Sequence, residues 1–272
     1  MKKLLLTIVG VCAMGAHSQA TLTFYEGFNY ATGADLATQS ASAWANVNSG
    51  DNVPVVSGSL NVSGLQASTG NSVTFDGAGI DEQRSFTAIA SGSVWYSMAF
   101  QITSLGTLNT TGGYFAGLAS GTTNFSSTLW SRNDGAGGFN IGLANNTTAA
   151  NVNWAVGSLS LNTTYYIVAN FDVDNDTAAY WLNPSSANFA AGSAPIATAS
   201  GLTGTVRASL DRFFLRQDST TATPFVQVDE IRVGTTWADV TPVGVPEPST
   251  YMMLLGGALM MVLVVRRKQA TI

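Results

Sequence analysis

The stretch 163-TTYYIVANFDVDNDTAAYWLNP-184 decides the fold. Ile167, Ala169, Phe171 and Val173 fall on one side of an extended chain; Tyr166, Val168, Asn170 and Asp172 fall on the other. A period of two is that of a β-strand, whose successive side chains point to opposite faces. Asp174, Asn175 and Asp176 then interrupt the run with residues that bend and cap the backbone. The stretch therefore predicts a hairpin, with strands over 165–173 and 178–182.

The same alternation recurs on both sides of it. In 93-SVWYSMAFQIT-103, Tyr96, Met98, Phe100 and Ile102 oppose Trp95, Ser97, Ala99 and Gln101. In 208-ASLDRFFLRQD-218, Leu210, Arg212, Phe214 and Arg216 oppose Phe213 and Leu215. In 225-FVQVDEIRVG-234, Val226, Val228, Glu230 and Arg232 oppose Phe225, Gln227, Asp229, Ile231 and Val233. This spacing predicts an ion pair between Glu230 and Arg232 and points Asp229 away from them. Stretches rich in Gly, Asn and Thr, such as 109-NTTGG-113 and 145-NNTTAAN-151, read as loops. No amphipathic helix of any length stands out. The expected class is all-β: a two-sheet antiparallel sandwich. A β-helix or solenoid is the alternative, although no clean tandem period supports it.

Composition narrows the chemistry. The only cysteine is Cys12 and the only histidine His17, both within the first 20 residues. The rest of the chain thus lacks Ser-His-Asp and Cys-His catalysis, disulfides and the usual zinc sites. Between the two ends lie all 16 acidic residues but only six arginines and no lysine, a net charge of −10. Such a surface repels nucleic acid and anionic membrane.

The ends have their own logic. Lys2 and Lys3 precede an apolar run from Leu4 to Ala16, and Ser18 and Ala20 occupy the −3 and −1 positions of a cleavage site. This is the layout of a secretory signal peptide over 1–20, leaving Thr21 as the first mature residue. Near the other end, a Pro-rich linker (241–249) leads into an uncharged run from Tyr251 to Val265, followed by Arg266, Arg267 and Lys268. Fifteen helical residues measure about 22 Å, short of a hydrocarbon core of about 30 Å. Flanking residues and snorkelling arginine close part of that gap. A single transmembrane helix within 250–272 is expected, and its basic flank places the preceding domain outside.

Pro246, Glu247 and Pro248, the short apolar run and the basic end together resemble a PEP-CTERM sorting signal. The resemblance implies processing by a membrane-embedded, exosortase-like enzyme, then transfer to the cell envelope or extracellular matrix. Pro248 keeps Glu247 extended, which suits recognition of an exposed segment. A second resemblance covers 21–240. The succession 165-YYIVANFDVDNDTAAYWLNP-184, 211-DRFFLRQ-217 and 226-VQVDEIRVGTTWADVTP-242 is similar to LamG-like, concanavalin A-like jelly rolls. It implies a fold whose members often bind carbohydrate and in some cases hydrolyse it, but no hydrolase motif can be matched residue by residue.

Three groups of residues are candidate sites. Asp172, Asp174 and Asp176 offer oxygen ligands for calcium, at the spacing that opens an EF-hand loop; the rest of that motif is absent, and a hairpin turn explains the same residues. Asp81 and Glu82 are adjacent, so on a strand they would face opposite ways and not form a glycosidase pair; a solvated bend or edge strand is expected there. Most of the tryptophans are expected in the core; Trp130 and Trp154, beside the polar loops, are the candidates for exposure and for sugar contact, with core burial as the alternative. The sequence thus leads to an exported envelope or matrix protein with a role in adhesion, biofilm matrix or carbohydrate binding. It has no assigned catalytic residue and no required cofactor. Its expected partners are an exosortase-like enzyme and an exopolysaccharide. The alternatives are a hydrolase using an Asp/Glu pair and a purely structural surface protein.

Overall fold

A computed structural model describes residues 22–244. The signal peptide with Ser18, Ala20 and Thr21, the motif Pro246–Pro248, the apolar run and Arg266, Arg267 and Lys268 lie outside the described residues. Among the described residues no helix is long and apolar enough to cross a membrane.

Fifteen strands follow one another among the described residues: β1 (Phe24–Glu26), β2 (Ala45–Asn46), β3 (Val55–Val56), β4 (Ser72–Phe75), β5 (Glu82–Ile89), β6 (Ser93–Ser104), β7 (Gly113–Ser120), β8 (Asn124–Asn133), β9 (Phe139–Ala144), β10 (Asn153–Trp154), β11 (Tyr165–Asp172), β12 (Thr177–Leu182), β13 (Ala199–Leu202), β14 (Leu210–Leu215) and β15 (Phe225–Gly234). The two α-helices among the described residues, α1 (Leu36–Gln39) and α2 (Trp237–Val240), are one turn each. One sheet has eight strands in the order β13-β12-β11-β6-β15-β4-β3, with β1 joining the free edge of β15 beside β4. The other has seven, β10-β9-β8-β7-β14-β5-β2. Every pairing between these strands is antiparallel. The molecule is therefore all-β with two antiparallel sheets, in agreement with a jelly-roll sandwich.

The core lies between the sheets and follows from the alternation. Tyr96, Met98, Phe100 and Ile102 of β6 and Ile167, Ala169 and Phe171 of β11 meet Phe115, Leu129, Ile141, Leu143 and Phe213 of the opposite sheet. Each large apolar side chain so enclosed contributes about 1.5–3 kcal/mol. The hairpin forms as predicted: Ile167 faces Leu182 and Asp172 faces Thr177 across β11 and β12.

Two of the strands read from the sequence depart from the alternation expected of them, and a bulge explains each. In β14 the register slips between Leu210 and Arg212, so Leu210 joins Phe213 and Leu215 in the core instead of sharing the side of Phe214. In β15 it slips between Asp229 and Arg232, where Glu230 adopts φ 56°. Val226 and Val228 before the slip, and Ile231 and Val233 after it, all point inward. An extra residue turns the rest of a strand over. Ile231 and Val233 were thus expected on the wrong face.

The outer face of the eight-stranded sheet is covered. Trp95, Tyr166, Val168 and Trp181 project from it and pack beneath Leu65, Phe189, Trp237 and Val240 from loops and α2. Trp95 stacks on Trp181 at 5.1 Å, and Trp237 sits edge-on to both. The Trp181 indole N–H donates to the Pro195 carbonyl and the Trp237 indole N–H to the Asn188 carbonyl, which pins the covering loop. Under this cover Arg232 and Glu230 pair at 2.6 Å, both buried, so the expected ion pair forms but is enclosed. Tyr25 seals it, donating to Glu230 while the Arg232 guanidinium lies over its ring.

Candidate functional site

The seven-stranded sheet turns a different outer face to solvent. Cross-strand register aligns Trp154 of β10 with Gly142 of β9, Gly142 with Trp130 of β8, and Trp130 with Tyr114 of β7. Directly opposed side chains in a sheet are neighbours, so this is one row running across four strands. Gly142 is the gap in it. A Cβ there would come within 2.6 Å of the Asn153 carbonyl oxygen and of Val152, and 3.0 Å from the Trp154 ring, so the glycine admits the backbone of β10 as well as its indole.

Arginines complete the row. The Arg132 guanidinium stands 4.2 Å from the Trp154 ring, and Arg216 is 4.2 Å from the Tyr114 ring. Both are cation–π distances. Arg132 is steered by Asn140, which accepts from its Nε at 3.0 Å, and Arg216 by Asp218 at 2.9 Å. Tyr114 packs on Trp130 at 5.3 Å, and beyond it Phe125 meets Phe214 at 4.5 Å. Burial pushes the Tyr114 phenol up, against the pull of Arg216.

Trp130 and Trp154 thus meet on one face, but their exposure differs from expectation. Trp130 is only 4% exposed. Its ring is covered by Tyr114, and its indole N–H is spent on the Thr128 hydroxyl at 2.8 Å. It supports the row more than it displays itself. Trp154 is half-buried beside Arg132. Tyr114, Arg132 and Arg216 were missed because nothing local marks them; only the pairing of β7, β8 and β9 brings them to the tryptophans.

The other candidates separate. Asp172 accepts from the Asp174 and Asn175 amides, Asp174 from the Gly92 amide and Asp176 from the Arg207 amide. The three carboxylates thus serve three different pieces of backbone, with Asp176 at φ 53° in the turn. Among the described residues no group of three acidic, His or Cys side chains is placed to hold a metal ion.

Asp81 and Glu82 also depart from expectation, since at Glu82 and Gln83 the strand is paired on both sides, by β14 and by the short β2, and is not an edge there. Glu82 is fully buried and accepts from the Ala37 amide at 3.2 Å, while its other carboxylate oxygen has no partner among the described residues. Burial, then the neighbouring Asp35 carboxylate, pushes it up to about 8, so it carries a proton at neutral pH. Asp81 turns the other way, accepting from the Gln217 amide. Asp229 is likewise enclosed, accepting from the Leu60 amide and the Ser68 hydroxyl.

Comparison with known proteins adds the following. Residues 244–268 match the PEP-CTERM protein-sorting motif. That motif implies export, transient anchoring at the membrane and sorting by an exosortase. No curated protein matches the chain in sequence. Among solved structures it is similar to a sialidase, at 10% identity and a TM-score of 0.43, over 79% of this chain. It spans about a fifth (19%) of that sialidase. It is also similar to domain 4 of AbnA, an extracellular arabinanase from Geobacillus stearothermophilus in complex with arabinotriose, at 14% identity and a TM-score of 0.46, over 82% of this chain and 98% of that one. A third similar structure is the metal-free carbohydrate recognition domain of Emp46p, at 10% identity and a TM-score of 0.43, over 78% and 96%.

Proposed function

We propose that this is a cell-envelope or matrix protein whose sandwich domain binds polysaccharide, without cleaving it, across the outer face of the seven-stranded sheet. The observation that carries the reading is the row Trp154–Gly142–Trp130–Tyr114 with its two arginines. Aromatic faces suit the C–H faces of sugar rings, while Arg132, Asn140 and Arg216 offer polar groups to hydroxyls. Three inter-strand steps of about 4.8 Å separate Tyr114 from Trp154, so the row has room for a short run of sugar units. The net charge of −10 between the ends favours neutral chains over acidic ones. Weak single contacts suffice, because many copies in a matrix bind through avidity.

Affinity electrophoresis of the purified chain through gels containing neutral or acidic polysaccharides tests this, with a reducing-sugar assay alongside. Retardation by a neutral polymer, lost in Trp154→Ala and with no release of reducing ends, is expected. Unretarded migration through every polymer favours a structural role, and release of reducing ends favours the hydrolase. Calcium at Asp172, Asp174 and Asp176 is not part of this reading. The tail reading has its own test. Changing Pro246, Glu247 and Pro248 together to Ala should leave the exported protein unprocessed, and equal processing of both forms overturns it.

A further inference from the structure

At one end of the sandwich, among the loops that carry Asp51, Asp76, Thr107 and Gln217, two adjoining cavities flank a single ring. The larger, about 330 Å³, is lined by Asp51, Asn52, Thr74, Asp76, Gln217 and Phe225, among others. The second, about 310 Å³, shares Asp76 and Phe225 and is completed by Gly106, Thr107 and Thr220. Phe225 is 45% exposed, one of the few large apolar side chains the domain shows to solvent. Nothing in the core requires it there: the register against β6 slips between Phe225 and Val226, so Val226 and Val228 point inward and Phe225 is left out.

The ring is held while its surroundings are left open. Gly106, at φ +54°, lies under one edge, where a Cβ would come within 3.0 Å of the ring. The floor is wired by Gln217, which is buried. Its amide nitrogen donates to the carbonyls of Asp51 and Ile80 and its oxygen accepts from the Asp76 amide, so one side chain ties the β2–β3 and β4–β5 loops to its own. The carboxylates of Asp51 and Asp76 and the side-chain amide of Asn52 line the cavity with no hydrogen-bond partner among the described residues; Asp51 and Asn52 are exposed and Asp76 is half-buried, so all three are free to meet a ligand from solvent. Burial, and then Asp51, pushes the Asp76 carboxyl up. A rigid floor, one presented aromatic ring and convergent acceptors left unused define a small-molecule pocket at the lower end of the usual size range, about 300–1,000 Å³.

We propose that this rim pocket binds a single uncharged pyranose unit, its apolar face on Phe225 and its hydroxyls donating to Asp76 and Asp51. The paired carboxylates accept from neighbouring hydroxyls and repel a uronate, so the site discriminates against acidic sugars. The choice of a sugar rests on the reading of the domain as a polysaccharide binder, but the site shares no residue with the aromatic row. A chain end or side branch fits it; an extended chain fits the row.

Ligand-observed saturation-transfer NMR on the purified chain tests the pocket, with methyl glycosides of glucose, galactose, mannose and xylose and with methyl glucuronide as probes. At least one neutral glycoside should show transfer, and glucuronide none. Phe225→Ala should weaken that binding at least tenfold, Phe225→Trp should preserve it, and Asp76→Asn should weaken it severalfold. Circular dichroism should show all three variants folded. Trp154→Ala should leave glycoside binding unchanged while abolishing polymer retardation, which separates failure of this site from failure of the row. Absence of transfer from every neutral glycoside, equal binding of glucuronide, or binding insensitive to Phe225→Ala overturns the proposal.

Discussion

The two outer faces of the sandwich are built from the same kinds of residue and are covered in different ways. On the eight-stranded sheet, Trp95 and Trp181 are roofed by loops and by Trp237, whose indole is tied to Asn188. On the seven-stranded sheet no such loop covers the aromatic residues among the described residues: Tyr114 and Trp154 stay half-buried under two guanidiniums, and Trp130 is buried by the side chains of the sheet itself. An aromatic residue on a sheet is therefore not by itself a core or a binding residue. What decides is whether chain elsewhere is long and apolar enough to close over it. Residues 185–198 and 60–69 do so on one side, with Phe189 and Leu65 as their anchors.

This contrast can be broken most forcefully on the roofed side. Arg232→Met strands the buried Glu230 carboxylate and should cost about 3–5 kcal/mol, read by urea denaturation. Trp181→Ala empties the centre of the tryptophan cluster and should cost a similar 3–5 kcal/mol. Neither should alter polymer retardation at a temperature where the variant remains folded. If either costs less than about 1 kcal/mol, the roof is not a packed layer.

The pH dependence should be intermediate and should act on folding alone. Glu82 has a folded-state value of about 8, above its unfolded value. A raised carboxyl favours the folded state when protonated. Its contribution is fully present below the unfolded value, near 4.5, and is lost as pH rises through about 8. Melting temperature should therefore fall across that window. Glu82→Gln, which keeps the shape without the charge, should flatten the fall, and an unchanged slope would show that Glu82 ionises freely. The smallest stability effect belongs to the open face: Trp154→Ala should cost less than about 1 kcal/mol, as surface substitutions do, while abolishing retardation. A cost like that of Trp181→Ala would mean that the two faces do not differ.

Much of this was legible in the sequence, for a reason that also marks the limit. Alternation is local, so β6, β11, β12 and the hairpin between the last two could be read from single runs. A bulge is one residue that hides in the same alternation: nothing in 225-FVQVDEIRVG-234 announces that Glu230 takes a positive φ and sends Ile231 inward. The site is harder still, because it exists only in register. Trp130 and Trp154 stand out as tryptophans near polar loops, yet their shared row depends on Gly142, a residue with no side chain to notice. The Asp172–Asp176 cluster looked more like a site than the row did. Its carboxylates were committed to nearby amides by the geometry of a turn, and spacing alone cannot distinguish a ligand from a cap.

The departure point of the chain gives the domain a compass. Gln66 donates to the Pro242 carbonyl, Leu65 bridges Val243, and Ala190 donates to the Thr241 carbonyl. The last described residues are thus stitched into the roof. The sorting motif begins at residue 244, immediately after the stitching. A load applied through the tail is consequently taken up by the roof and by β15 behind it, not by the open sheet. The chain therefore leaves the domain from its roofed side, on the sheet opposite the aromatic row.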